Sequence, residues 1–205
     1  MYWKEMFIPI YVKELEMNAQ MGHDVYKSIT QWCVQEQANY NTYVDYELDI
    51  CKRIEFSRYR AVAAQLINLV AIWENQLQDF CERSVKDKDI KNQGIDSYFK
   101  FIANKYFGIE NCEKGQFYKL FDFGHKIEHI QNLINVLKHG RGKSYYFLKK
   151  NASEYVLSPV EFACVEDVSS NIILNISEKD IDVTKNVLIA FWKEIENKIE
   201  QKEKN

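Results

Sequence analysis

Tyr59, Ala63, Leu66, Val70, Trp73, Leu77 and Phe80 follow one another at intervals of 4, 3, 4, 3, 4 and 3 residues. An α-helix brings side chains at that spacing onto one face, and a strand does not. The sequence therefore predicts a long amphipathic helix from about residue 56 to 84, whose apolar stripe needs a covering layer. Ala61, Ala63 and Ala64 leave room for a neighbouring helix to come close.

The same periodicity recurs further on. Leu120, Phe123, Ile127, Ile130, Ile134 and Leu137 predict a second long helix at about 116–139, ended by Gly140 and Gly142. A shorter helix is expected at about 96–106 with Asp96 as its N-cap. A last one is expected at 178–200, opened by Ser177 and striped by Ile181, Leu188, Trp192, Ile195 and Ile199. Residues 11–50 suit one or two helices, with Gly22 as a point of interruption. KDKDIKNQG (86–94) and GIENCEKG (108–115) are turn-rich and predict loops, and 143–158 suggests irregular or extended chain. Segments 160–166 and 171–176 carry β-preferring residues and suggest a small hairpin near 160–176. Only two prolines and seven glycines punctuate the chain, so the fold class is mainly α, a bundle of long antiparallel helices.

At 205 residues, with 46% hydrophobic residues, the chain has the material for one domain with a real core. That domain is expected to span 1–205, with a helical extension at 1–50 and a C-terminal helix at 178–200. The net charge of −3 excludes a polyanion-binding protein of uniformly basic character. The charge is unevenly spread, however. Residues 1–50 hold eight acids against three Lys/Arg, whereas 138–150 hold five Lys/Arg and no acid. Five scattered cysteines without a C-x-x-C pair suit reduced thiols and a cytoplasmic setting. The opening MYWKEMFIPIYVKELE matches neither a secretory leader nor a membrane anchor.

Two constellations bear chemistry. His125, Glu128, Asn132, Asn135 and His139 stand at spacings of 3, 4, 3 and 4, each one or two residues beyond a member of the apolar stripe. One residue is about 100° of helix, so they flank the buried face. Such a row serves a half-enclosed site, a subunit contact or a plain amphipathic boundary. Beyond it, Lys138, Arg141 and Lys143 surround His139 and precede Tyr145, Tyr146 and Phe147. Cations hold phosphates, aromatic rings stack on bases, and an imidazole trades protons near neutral pH. The same cations also complement a helix C-terminus. His125-Lys126-Ile127-Glu128-His129 matches the H-x-x-E-H pattern of zinc peptidases, but no third ligand is marked and no metal is assigned. Glu74, beside Trp73, is a supporting residue if its helix pairs with the one carrying Asn135 and His139. No phosphate-binding glycine loop, nucleophile elbow or C-x-x-C pair occurs, and no cofactor is expected.

The helix AVAAQLINLVAIWENQLQDFCE, the segment GIDSYFKFIANKYFG and the helix ending INVLKHGRG together resemble a HEPN domain over roughly residues 56–145. The resemblance implies a helical homodimer, and many such domains are metal-independent ribonucleases of toxin–antitoxin or phage-defence systems. It implies His139 as acid/base and Asn135 as the polar residue of the motif. Lys138, Arg141 and Lys143 would contact RNA phosphates, with Asn132 and Glu74 supporting. An antitoxin or other protein would be a further partner. The motif's arginine falls on Ile134, which supplies no cation for a phosphorane. That departure keeps a second expectation open, a HEPN-like regulatory subunit without catalysis.

Overall fold

The computed structural model describes residues 7–39, 44–84, 94–157 and 174–204, with side-chain detail lacking for 36–39 and 44–53. Its helices are α1 (Ile8–Asn39), α2 (Val44–Ser84), α3 (Ile95–Phe107), α4 (Lys114–Tyr118), α5 (Gly124–His139), α6 (Lys143–Asn151) and α7 (Glu178–Lys204). A 3-10 turn spans Ser153–Tyr155. The fold is mainly α, as the periodicities require. Among the described residues no helix is long and apolar enough to cross a membrane.

The chain groups into two compact units. The first gathers residues 1–17, 69–130 and 184–205. Its core is aromatic: Trp73, Phe80, Phe99, Phe117, Phe191 and Trp192 are all fully buried. Phe99 and Phe117 stack at 4.2 Å and 10°, while Trp73 meets Phe191 edge-on at 5.3 Å and 88°. Each such ring contributes about 1.5–3 kcal/mol by leaving water. Gln76 is the buried polar hub. Its Nε2 donates to the Tyr11 carbonyl at 3.2 Å and to Glu14 Oε2 at 2.9 Å, and its Oε1 accepts from Trp192 Nε1 at 2.8 Å. One amide thus ties α1, α2 and α7 together, with both its hydrogens and its oxygen engaged.

The second unit gathers residues 18–68 and 131–183. Val62, Leu66, Leu133, Ile134, Val136, Leu148, Leu174 and Ile181 form its apolar interior. Gly22 sits inside α1 and does not interrupt it, because its missing side chain lets Gln65 of α2 lie against the helix. Gln65 Nε2 donates there to the Asn18 carbonyl. His23 bridges to α7, with Nδ1 2.7 Å from Glu178 Oε1 and Nε2 3.3 Å from Asp182 Oδ2.

Several expectations change. The single helix at 116–139 is two helices separated by a turn at 119–123. Gly124 is the reason: a Cβ there would run into the Tyr118 carbonyl oxygen, so the chain folds back on itself where only glycine fits. The stripe's members before the break, Leu120 and Phe123, are only half-buried, and the buried residues there include Phe117 and Phe121. Asp96 is not the cap of α3. Gly94 holds that position, and Asp96 lies in the first turn, where its charge suits the helix dipole. The loop expected at 108–115 ends early, since α4 starts at Lys114 behind a Glu113–Gln116 capping box. Residues 143–151 form α6 and not extended chain, because Leu148 seats the segment in the core.

α7 begins after Ser177 as expected, and Asp180 Oδ2 accepts the Ser177 N–H at 2.7 Å. An isolated antiparallel bridge joins Val156 to Leu174. Val156 lies outside the segments expected to pair; residues 160–173 of the expected hairpin, and residues 86–93 of the expected loop, lie outside the described residues.

Candidate functional site

α5 owes its end to Gly140. The residue adopts φ +75°, a left-handed conformation that side chains resist, and its N–H reaches back to the Val136 carbonyl at 2.8 Å. Gly142 then leads directly into α6. The two glycines make a short turn between helices, flanked by Lys138 and His139 on one side and Lys143 on the other.

Burial sorts the residues of this region cleanly. Ile130, Leu133, Ile134 and Val136 are buried. Asn132 is half-buried, and Asn135, Lys138 and His139 are exposed. Arg141, Lys143, Lys149 and Lys150 are exposed as well, so all five cations of 138–150 face solvent. Among the described residues no acid pairs with Lys138, Lys143, Lys149 or Lys150. Arg141 lies 5.5 Å above the ring of Tyr145, and the rings of Tyr145 and Tyr146 meet edge-on at 5.8 Å and 82°. Tyr146 is 68% exposed. The turn is therefore a solvated cationic surface carrying an open aromatic ring and an open imidazole. Such a surface can attract anions and offer a ring for stacking.

The predicted residues divide between the units. Asn132, Asn135, Lys138, His139, Arg141 and Lys143 share the second. His125, Glu128 and Glu74 belong to the first. There the charges of Glu128 and Glu74 act on Tyr118, whose phenol is pushed far up, chiefly by burial. The His125 and His129 rings lie 5.8 Å apart, edge-on. No group of three His, Cys, Asp or Glu placed to hold a metal occurs among the described residues.

Sequence reasoning passed over one charged residue of the second unit. Arg58 sits on α2 one turn from Glu55, and its Nη1 meets Glu55 Oε1 at 2.6 Å. Its Nε is buried without a hydrogen-bond partner. The i, i+3 charge pair beside Tyr59 was visible in the sequence, but nothing there distinguished it from an ordinary surface pair.

No family model, no curated protein and no solved structure matches this chain.

Proposed function

We propose that the protein is a HEPN-like RNA-binding protein that takes single-stranded RNA on the turn between α5 and α6, acting as a homodimer in a toxin–antitoxin or phage-defence setting. The reading is carried by one observation: five exposed cations and an exposed tyrosine within thirteen residues that contain no acid. Lys138, Arg141 and Lys143 contact phosphates, and Tyr146 stacks on a base. Asn135 and His139 line the same exposed helix end and supply the ribose contact and the proton carrier.

Binding without turnover is favoured over cleavage by Ile134. The side chain at the position of the motif's arginine is 2% exposed and belongs to the core, so it offers no cation to a developing phosphorane. Cleavage, if present, has to draw its charge from Lys138 or Arg141.

The test is RNA binding and cleavage measured side by side, with EDTA present. Wild-type protein is expected to shift a single-stranded RNA, and the variant with Lys138, Arg141 and Lys143 all changed to Ala to lose most of that affinity. Binding that persists in the triple variant rejects the assignment. EDTA-resistant cleavage that disappears in His139→Ala moves the protein to the ribonuclease reading. Intact RNA leaves the regulatory subunit.

A further inference from the structure

Among the described residues, six of the nine exposed large apolar side chains stand on α1. Five of them, Ile10, Met17, Met21, Val25 and Trp32, are each 53–61% exposed. On one continuous helix they fall within an arc of about 80°, so they form a single stripe about 33 Å long. We infer that this stripe docks on the same stripe of a second copy of the chain, two α1 helices packing antiparallel about a two-fold axis at Met21.

Single exposed apolar residues are ordinary, but five in line mark a contact surface. α1 seats a different face in the core, where Leu15 and Ala19 are buried, so the stripe is additional to that packing. Its spacing names the occupant. The five residues are separated by 7, 4, 4 and 7 positions, a series that reads the same from both ends. A two-fold contact requires that property, because each residue lies opposite the one equally far beyond the axis in the other copy. Ile10 then meets Trp32 of the second copy, Met17 meets Val25, and Met21 meets its own counterpart.

Charge and area agree with a second copy. Glu14 and Asp24 are the carboxylates at the edge of the stripe, and each is engaged within its own chain. Glu14 Oε2 accepts from Gln76 Nε2 at 2.9 Å, and Asp24 Oδ1 from Gln20 Nε2 at 3.0 Å. The two-fold sets Glu14 opposite Ser28 and Asp24 opposite Asn18, so no like charges face each other. A helix pair of this length buries on the order of 1,000 Å² in total, at the lower edge of specific interfaces. The inference assigns the surface through which the proposed homodimer forms, and it uses no residue of the α5–α6 turn.

Sedimentation velocity on the full chain tests it. Wild type is expected to dimerise with a Kd between about 1 and 100 µM. Met21→Glu sets two carboxylates against each other at the axis and is expected to weaken the dimer by at least about tenfold. Val34→Glu, at an equally exposed position about 140° round the helix from the stripe, is expected to leave the Kd within about twofold. Under oxidised glutathione Met21→Cys is expected to cross-link to its counterpart beyond the wild-type level, and Val25→Cys is not, because only at the axis do identical residues come within disulfide reach. Should Met21→Glu fail to fold, the cross-linking comparison decides. A wild-type monomer at about 200 µM overturns both this inference and the homodimer of the RNA reading. A dimer that survives Met21→Glu, is weakened as much by Val34→Glu, or cross-links no better through Met21→Cys than through Val25→Cys overturns this face and leaves that homodimer standing.

Discussion

The indole N–H of Trp192 donates to Gln76 Oε1 at 2.8 Å inside the core of the first unit. The same glutamine serves the Tyr11 carbonyl and Glu14 through its amino group, so three chain segments share one side chain. Gln76→Ala removes all of these bonds, orphans the buried indole and leaves a void. The expected cost is about 2–4 kcal/mol in urea unfolding. Gln76→Met fills the void without restoring the bonds and is expected to cost less than Gln76→Ala. Wild-type stability in Gln76→Met would assign the role to packing alone.

Gly124 gives a sharper case. A methyl group there collides with the backbone carbonyl of Tyr118, and backbone cannot step aside as a side chain can. Gly124→Ala is expected to destabilise by about 3 kcal/mol or more, against under about 1 kcal/mol for Gly115→Ala, where nothing lies within 4 Å of the added carbon. Comparable melting temperatures for the two variants would contradict the close approach that divides α4 from α5.

Alkaline pH should loosen the fold. Burial pushes the phenols of Tyr106 and Tyr155 up to about 12, with Asp180 and Glu154 adding to the effect on Tyr155. Tyr11 and Tyr118 are raised further, again mainly by burial. A folded-state pKa above the unfolded value near 10 means the folded chain binds the proton more tightly. The associated stability is complete below about pH 10 and is lost as pH climbs towards about 12. Lys105, lowered by burial and by Lys202, works in the opposite sense, its penalty fading as pH rises to the ordinary lysine value. Four tyrosines outweigh one lysine, so urea midpoints are expected to fall between pH 9 and about 11.5, and to fall less in Tyr155→Phe. A flat profile would remove the buried phenols as the cause.

Much of the helical plan was legible because periodicity records which face is buried. Trp73, Leu77 and Phe80 were placed on one stripe by spacing, and Ile181, Leu188, Trp192 and Ile195 on another, and all are buried. The break before Gly124 was not legible, since an apolar residue pointing at a common core looks alike on one helix or on two. Gly22 shows the converse: a glycine that reads as an interruption serves a helix contact with Gln65. α6 was hidden because the apolar residues of KSYYFLKKN are consecutive and form no helical stripe, and only Leu148 among them is buried. Cations and histidine at the α5 end were evident from charge pattern, whereas the burial of Arg58 Nε beside the Glu55 pair could not be read from their spacing.

The exposed ring of Tyr146 separates two kinds of nucleic-acid contact at the α5–α6 turn. Phosphate contacts release counterions and make affinity fall steeply with salt, while stacking contributes regardless of salt. Tyr146 is expected to act only by stacking. Tyr146→Ala should therefore weaken single-stranded RNA binding by about 1–3 kcal/mol and leave the slope of log affinity against log salt unchanged. Lys143→Ala should do the reverse, lowering the slope by about one contact with a modest loss at low salt. Double-stranded RNA, whose bases are already stacked, should respond to Lys143→Ala and not to Tyr146→Ala. Titrations at three salt concentrations read all of these quantities. A Tyr146→Ala variant that binds single strands as tightly as wild type would reduce the turn to a cationic surface without base contact.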